Sequence, residues 1–358
     1  MKNLVKAIIA IAVVCAALMY LVNSLDKTSS QGGANILTVY NWGEYIDPAL
    51  LKKFEKETGI QVIYETFDSN EAMITKVDQG GTNYDIAIPS EYTIEQMKQK
   101  DLLLPVDHSK IPNLKNIDED FLDLDFDKKN EYSIPYFWGT VGIVYNPKML
   151  KKDLDFTSWD QLWDPSLKGE VLLVDSAREV MGMSLNSMNL SLNSMDSTEL
   201  NKATDKLIKL SPNVKAVIGD EVTQLMVNGD APAALTWSGQ AADMMYDNED
   251  LTYSVPNEGS NLWFDNMVIP KTSKNVEGAH KFINFMLDPE NAAQNADYVG
   301  YSTPNKAALK LLDPEVIHDE RYYPSAEVRK NLHVYKDLGK EKIGEYNELF
   351  LKFKMSLQ

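Results

Sequence analysis

Cysteine is nearly absent from this 358-residue chain: the one residue, Cys15, stands inside an N-terminal apolar run. The remainder therefore has no disulfide and no thiolate for catalysis or metal binding. Histidine is scarce too, and His108, His280, His318 and His333 are scattered singly, which argues against a metal site built on imidazoles. Positive charge is outweighed, with 35 Lys and Arg against 53 Asp and Glu and a formal net charge of −18. That balance argues against nucleic acid as a partner and favours long-range attraction of cations. The sequence has no Gly-rich phosphate loop, no G-x-S-x-G elbow and no H-E-x-x-H, so it does not read as an enzyme and calls for no cofactor and no metal. The adjacent Tyr322 and Tyr323, a pair that could suit ferric iron, read as packing residues ahead of Pro324. No internal repeat is visible.

What is present begins with Lys2 and Lys6, followed by an unbroken apolar run from Ala7 to Val22. This is the pattern of an export signal or a membrane anchor. The run is short for a spanning helix, and a cut after Ser24 would lack the usual A-x-A, so export is the reading and retention on the membrane stays open. "IAVV" before Cys15 matches a lipoprotein signal poorly. Residues 1–24 are expected to be a signal peptide or anchor, and residues 25–35, rich in Ser, Gly and Asn, a flexible linker. A nearly cysteine-free exported chain fits a bacterial extracytoplasmic location, periplasmic or attached to the outer face of the cell membrane.

From Ile36 onward the chain has the length and the 44% hydrophobic composition for two globular lobes. "ILTVYNW" reads as a strand and "DPALLKKFEKETG" as a helix, with Asp47 as N-cap, Pro48 at the first helical position and Gly59 as the stop. "IQVIYETF" is a second strand. A helix over 70–79, a short buried strand in "YDIAIP" and a helix from Thr93 to Lys100 complete an α/β lobe with a largely parallel core. A second α/β lobe is expected over residues 145–260. It holds the strand "GEVLLVD", a helix after "SAREVMGMSL", the amphipathic helix "STELNKATDKLIKL", the strand "APAALTWSG" entering a turn, and the strand "DLTYSVP". Helices in "EGAHKFINFML" and "PENAAQNADYV" follow, then a loop through "GYSTPNKAALKLL" that runs into a last helical portion.

Aromatic residues beside small or acidic ones recur at the ends of these strands. They are Trp42, Glu44 and Tyr45 in "YNWGEYIDP", Ser90 and Tyr92 in "IPSEY", Asp175 and Glu179 in "LVDSAREV", Trp237 in "TWSGQ", Trp263 and Asp265 in "NLWFDN", and Tyr301 in "VGYSTPN". In an extended chain Trp263 and Asp265 share one face while Phe264 takes the other. A π surface next to a negative charge suits an organic cation. Ligands of open α/β sheets bind outside the carboxyl ends of the strands, so these positions could converge on one cleft. Plain structural roles stand beside that reading. Ser176 and Glu179 fit the S-x-x-E capping box, Asp175 can cap the same helix, and a Trp can be core.

Seven segments in order closely resemble the extracytoplasmic polyamine-binding proteins of ABC importers, in particular the spermidine/putrescine-binding type. They are "YNWGEYIDPALLKKFEKETGIQVIYETFDSNEAM", "YDIAIPSEY", "YSIPYFWGTVGIVYN", "DSAREV", "LWFDNMVIP", "INFML" and "VGYSTPN". The resemblance runs from about residue 36 to the C-terminus. It implies an α/β, two-lobed periplasmic-binding-protein-like fold of type II, with a hinge between the lobes and a ligand cleft. The chain would cross between lobes near residues 140–145, 260–265 and 303–305. Lobe one would comprise residues 36–140 plus 265–303, and lobe two residues 141–264 plus 304–358.

The same resemblance implies the ligand contacts Trp42, Gly43, Glu44, Tyr45, Ser90 and Tyr92, then Asp175, Ser176, Glu179, Trp237, Trp263, Asp265, Tyr301 and Tyr335. Three positions depart from the pattern: Gly43 stands where relatives can carry a hydroxyl, Ser176 where they can carry a second acid, and Tyr335 where they can carry Gln. Spermidine or putrescine would be captured outside the membrane by a monomer and delivered to permease subunits served by a cytoplasmic ATPase. Asp265 would hold an amine while Trp263 and Trp237 cover methylenes. Another organic cation is the alternative ligand. A glycan-binding protein or glycosidase also uses Trp platforms and paired carboxylates, but the motifs here lack its many Asn, Gln and Arg donors, with Arg178 the one cation near the candidate cleft.

Overall fold

A computed structural model describes residues 35–357; the export segment with Cys15, and the linker through residue 34, lie outside the described residues. The first half assembles as its caps dictate. β1 (Ile36–Trp42) leads into α1 (Pro48–Thr58), where the Asp47 carboxylate accepts the Ala49 N–H and Gly59 ends the helix at φ 72°, a conformation that disfavours a Cβ. β2 (Gln61–Phe67) returns parallel to β1. α2 (Asn70–Gln79), β3 (Ile86–Ala87), α3 (Glu91–Gln99) and β4 (Leu103–Leu104) follow. α3 starts ahead of the expected Thr93, because Ser90 takes the extended N-cap conformation.

β5 (Ser133–Tyr145) then runs for 13 residues, buried along nearly all its length. Beyond it come β6 (Val171–Val174), α4 (Ala177–Asn186), α5 (Ser197–Leu210), β7 (Val214–Ile218), α6 (Glu221–Val227), β8 (Ala233–Trp237), α7 (Ser238–Asp247) and β9 (Thr252–Ser254). The helix expected after "SAREVMGMSL" is that segment itself, and Trp237 passes directly into α7 with no intervening turn. β10 (Ser260–Pro270), α8 (Val276–Met286), α9 (Pro289–Val299), β11 (Leu332–His333) and α10 (Gly339–Lys354) complete the chain. Among the described residues no helix is long and apolar enough to cross a membrane.

The strands lie in the order β2-β1-β3-β10-β5-β8-β6-β7. β1 pairs in parallel with β2 and β3, and β6 in parallel with β7 and β8. Between these two parallel groups β10 and β5 run antiparallel to their neighbours, so each half is a mixed sheet rather than the largely parallel one expected. The first part of β5 pairs with β10, whereas Val141–Tyr145 pairs with β8. The strand thus passes from one half into the other, and the arrangement is the two-lobed α/β fold expected.

Asp85 locks the exit of β10 to the first half. Its Oδ1 accepts the Ser273 hydroxyl at 2.7 Å and the N–H groups of Lys274 and Asn275 at 2.9 Å each, while Oδ2 accepts the Thr38 N–H at 2.9 Å. Hydrogen bonds to a buried carboxylate contribute about 1.5 to 3 kcal/mol each before desolvation is charged against them. Asp85→Ala is therefore expected to lower unfolding free energy by about 3 kcal/mol, read as a fall in the urea midpoint at unchanged slope.

Candidate ligand-binding site

The site is set by a fault in the central ladder. Pro135 of β5 has no N–H to give, and opposite it the register slips between Asp265 and Asn266. The Asn266 N–H turns to the Pro89 carbonyl at 3.0 Å, and Asp265 bridges to Ser90. The Asp265 carboxylate is thereby brought to the start of α3, where Oδ1 accepts the Ser90 hydroxyl at 2.7 Å and Oδ2 the Tyr45 hydroxyl at 2.6 Å. Strand alternation holds as expected: Phe264 points the other way and packs edge-on to Phe121 at 5.8 Å.

The opposite wall is built on α4. Ser176 caps the helix, its Oγ accepting the Glu179 N–H at 3.4 Å, but the Glu179 carboxylate does not turn back to close a capping box. Its Oε1 accepts the Trp237 indole N–H at 3.3 Å and the Asn261 amide at 3.2 Å, and its Oε2 accepts the Tyr335 hydroxyl at 2.9 Å. The two carboxylates are thus held by hydroxyl, indole and amide donors, all neutral. Burial raises Asp265 to about 6 against the lowering effect of its Tyr45 and Ser90 hydrogen bonds, and burial likewise raises Glu179. The neutral form of Asp265 is thus favoured by the fold, so its contribution to stability is present below about pH 4 and lost as pH rises through about 6.

Aromatic rings pack around Tyr45, the donor to Asp265. Tyr301 stands edge-on to Trp263, with centroids 5.2 Å apart at 88°, and edge-on to Tyr45 at 5.3 Å. Two glycines admit these rings: a Cβ on Gly139 would collide with the Trp263 indole, and one on Gly239 with the Tyr301 ring. Trp263, Asp265 and Glu179 are only 8%, 6% and 7% exposed.

The other expected contacts are less tightly gathered. Trp42 tilts onto Phe67 at 4.5 Å, Gly43 and Glu44 are exposed on the loop before α1, and Glu44 has φ 51°. Asn70 bridges the Ser90 and Tyr92 hydroxyls at 3.0 and 2.9 Å. Asp175 is exposed and ion-paired with Lys354 of α10 at 2.8 Å, away from the Glu179 carboxylate. Arg178 lies over the Tyr335 ring at 4.1 Å and donates to Asn193 at 2.9 Å. Tyr323 packs on Trp138 at 6.0 Å, and among the described residues no group of His, Cys, Asp and Glu is placed to hold a metal ion. Two neighbours escaped the sequence reading. Asn261 was findable, since it precedes Trp263 and Asp265 at the same strand period of two, whereas Glu91 looks like any acid in a first helical turn.

Tyr45→Phe removes a donor that helps keep Asp265 ionised. The Asp265 carboxyl carbon, followed by NMR through a pH titration of the ligand-free protein, is expected to titrate above about 6 in the variant.

Sequence and structure comparisons relate the chain as a whole to known proteins. The profile of the bacterial extracellular solute-binding proteins matches residues 49–323. The spermidine/putrescine-binding periplasmic protein of Escherichia coli is 41% identical over 322 residues, covering 89% of this chain and 92% of that one. The PotD substrate-binding protein of a spermidine/putrescine ABC transporter from Streptococcus pneumoniae, solved with calcium and HEPES, is 55% identical, with a TM-score of 0.84 over 90% of this chain and 100% of that one. A solved structure from Listeria monocytogenes, a candidate spermidine/putrescine ABC transporter, is 60% identical with a TM-score of 0.84 over 90% of this chain and 99% of that one. The relatives are transport binding proteins rather than enzymes. The chain belongs to the bacterial extracellular solute-binding proteins and, within them, to the group of the spermidine/putrescine-binding periplasmic proteins.

Proposed function

We propose that this protein is the substrate-binding component of an ABC importer, which captures spermidine or putrescine outside the membrane and delivers it to the permease without chemically altering it. The observation that carries this reading is the pair of buried carboxylates, Asp265 and Glu179, hydrogen-bonded by neutral donors alone, with Tyr45 packed on Tyr301, Tyr301 packed on Trp263, and Trp237 bonded to Glu179. A polyamine supplies what such a site selects: ammonium groups for the carboxylates and methylenes for the rings. Each charge-assisted contact contributes about 1.5 to 3 kcal/mol and each cation–π contact about 0.5 to 2 kcal/mol. A ligand short of one amine leaves a buried carboxylate unpaired, which is the basis of selectivity.

The lobes are proposed as residues 36–140 plus 265–303 and residues 141–264 plus 304–358. Support comes from β5 changing partners at about Val141 and from β10 carrying the chain back. They would close over the ligand as a monomer that docks on permease subunits, exported to the periplasm or held at the outer face of the cell membrane. Glu44, Tyr45, Ser90 and Asp265 would present the first lobe's half of the site, and Glu179, Trp237 and Tyr335 the second's.

A melting-temperature screen with spermidine, putrescine and a panel of oligosaccharides tests the ligand class, because a ligand bound only by the native state raises the melting temperature by mass action. A rise with polyamines and none with sugars is expected; an unshifted melt with every polyamine overturns the reading. In calorimetry, Asp265→Asn is expected to weaken spermidine binding by roughly 10- to 100-fold, the equivalent of one charged contact. Polyamine amines stay protonated at neutral pH, as lysine does, so affinity follows ionisation of the carboxylates. With Asp265 titrating at about 6, its ionisation alone is expected to make binding at pH 5 about tenfold weaker than at pH 7, and Asp265→Asn should lessen the slope by that much.

A further inference from the structure

Glu91 is none of the contacts assigned above, yet it lies directly behind them. It is the first residue of α3 and fully buried, and its Oε2 accepts the N–H of Phe264 at 3.0 Å, the backbone donor between Trp263 and Asp265. The preceding residue, Ser90, holds the Asp265 carboxylate itself. The Glu91 side chain thus fixes the strand whose alternation sends Trp263 and Asp265 into the cleft. Its second oxygen, Oε1, is buried with no hydrogen-bond partner among the described residues. A carboxylate oxygen left without a donor in an apolar site is costly, whereas a carboxylic acid there avoids burying a charge.

We propose that Glu91 is a positioning residue of the cleft which carries a proton while the cleft is empty and releases it when an ammonium group docks on Asp265, so that ligand capture is coupled to proton release. The inference rests on the polyamine reading. The step breaks only the Glu91 O–H bond: the electron pair stays on the carboxylate and the proton passes to buffer, while the ligand amine keeps its own protons. The ionisable groups that bear on Glu91 are Asp265 from β10, Glu179 from α4 and Tyr92 on its own helix. Burial, moderated by the N–H groups of Phe264 and of Glu91 itself and reinforced by the like charges of Asp265 and Glu179, pushes the Glu91 carboxyl up to about 8. A cation placed against Asp265 turns that repulsion into attraction and lowers the cost of the Glu91 anion.

Calorimetry of spermidine binding at pH 7.5, in phosphate and in Tris, counts the proton, because the two buffers take it up with different heats. With a carboxyl titrating at about 8, about three quarters of Glu91 is protonated at this pH. The wild type is expected to release about half a proton or more per ligand beyond what Glu91→Gln releases, a difference that falls to none above about pH 9.5. Glu91→Gln keeps an acceptor for Phe264 but has no proton to release at that position. It should bind within about threefold of wild type with that share of the release gone. Equal proton counts in the two proteins, or a difference between them independent of pH, overturn the proposal.

A ligand-free arm separates this inference from the proposed function. A carboxyl raised by folding loses its stabilising contribution as pH climbs from its unfolded value of about 4 to its folded value of about 8. The Glu91→Gln melting temperature should therefore rise relative to wild type across that window and stay level above it. Parallel melting curves overturn the proton on Glu91 whatever the ligand proves to be. Failure of polyamines to bind, with diverging curves, removes the ligand-coupled step together with the proposed function.

Discussion

Everything in this protein is hung on the antiparallel pairing of β5 with β10. Those two strands lie between the parallel groups of the two halves, and both belong to neither half alone. Had the ladder been perfect, Asp265 would have been one more inward residue of a central strand. The proline in β5 breaks it at the one place where the backbone of β10 must reach the loop before α3. A missing N–H, a sheet-level defect, thus becomes the means of aiming a carboxylate.

Holding that carboxylate away from water is unfavourable, and the fold disperses the cost over several neutral groups instead of one ion pair. Hydroxyls from Tyr45 and Ser90 serve Asp265, while an indole, an amide and a phenol serve Glu179. Among the described residues no Lys or Arg bonds to either acid, although the Arg178 charge eases the ionisation of Glu179. Neutral donors occupy the lone pairs without cancelling the charge. The aromatic rings act in concert with this, because rings that exclude water also lower the local dielectric in which the charges act.

Much of this was legible in the sequence where local chemistry decides the outcome. Asp47, Pro48 and Gly59 announce their helix, and the alternation of Trp263, Phe264 and Asp265 follows from strand geometry alone. β5 was not named as an element because its residues are buried on both faces and show no alternation, and α10 was expected only as a last helical portion without bounds, because its Gly339 and Gly344 obscure a helical pattern. Glu179 is instructive. Its spacing from Ser176 spelled a capping box, half of which exists, but the carboxylate is claimed by residues 58, 82 and 156 positions away in the chain. Asp175, one residue ahead of that cap, goes to Lys354 instead, a choice made by the packing of α10 and invisible to spacing. Local pattern located the elements; long-range partners decided what their polar groups do.

Ser90 shows where that division leads. It sits at the N-cap of α3 in the extended conformation a cap requires, yet its side chain makes no bond to the helix, since its hydroxyl is given to Asp265. An unmade cap is worth about 1 kcal/mol of forgone stability. Laboratory evolution toward heat resistance would find that vacancy readily, and aspartate, which caps about as well as serine, would set a second negative charge against Asp265. A library ranked on melting alone would then trade the Ser90–Asp265 bond for a cap.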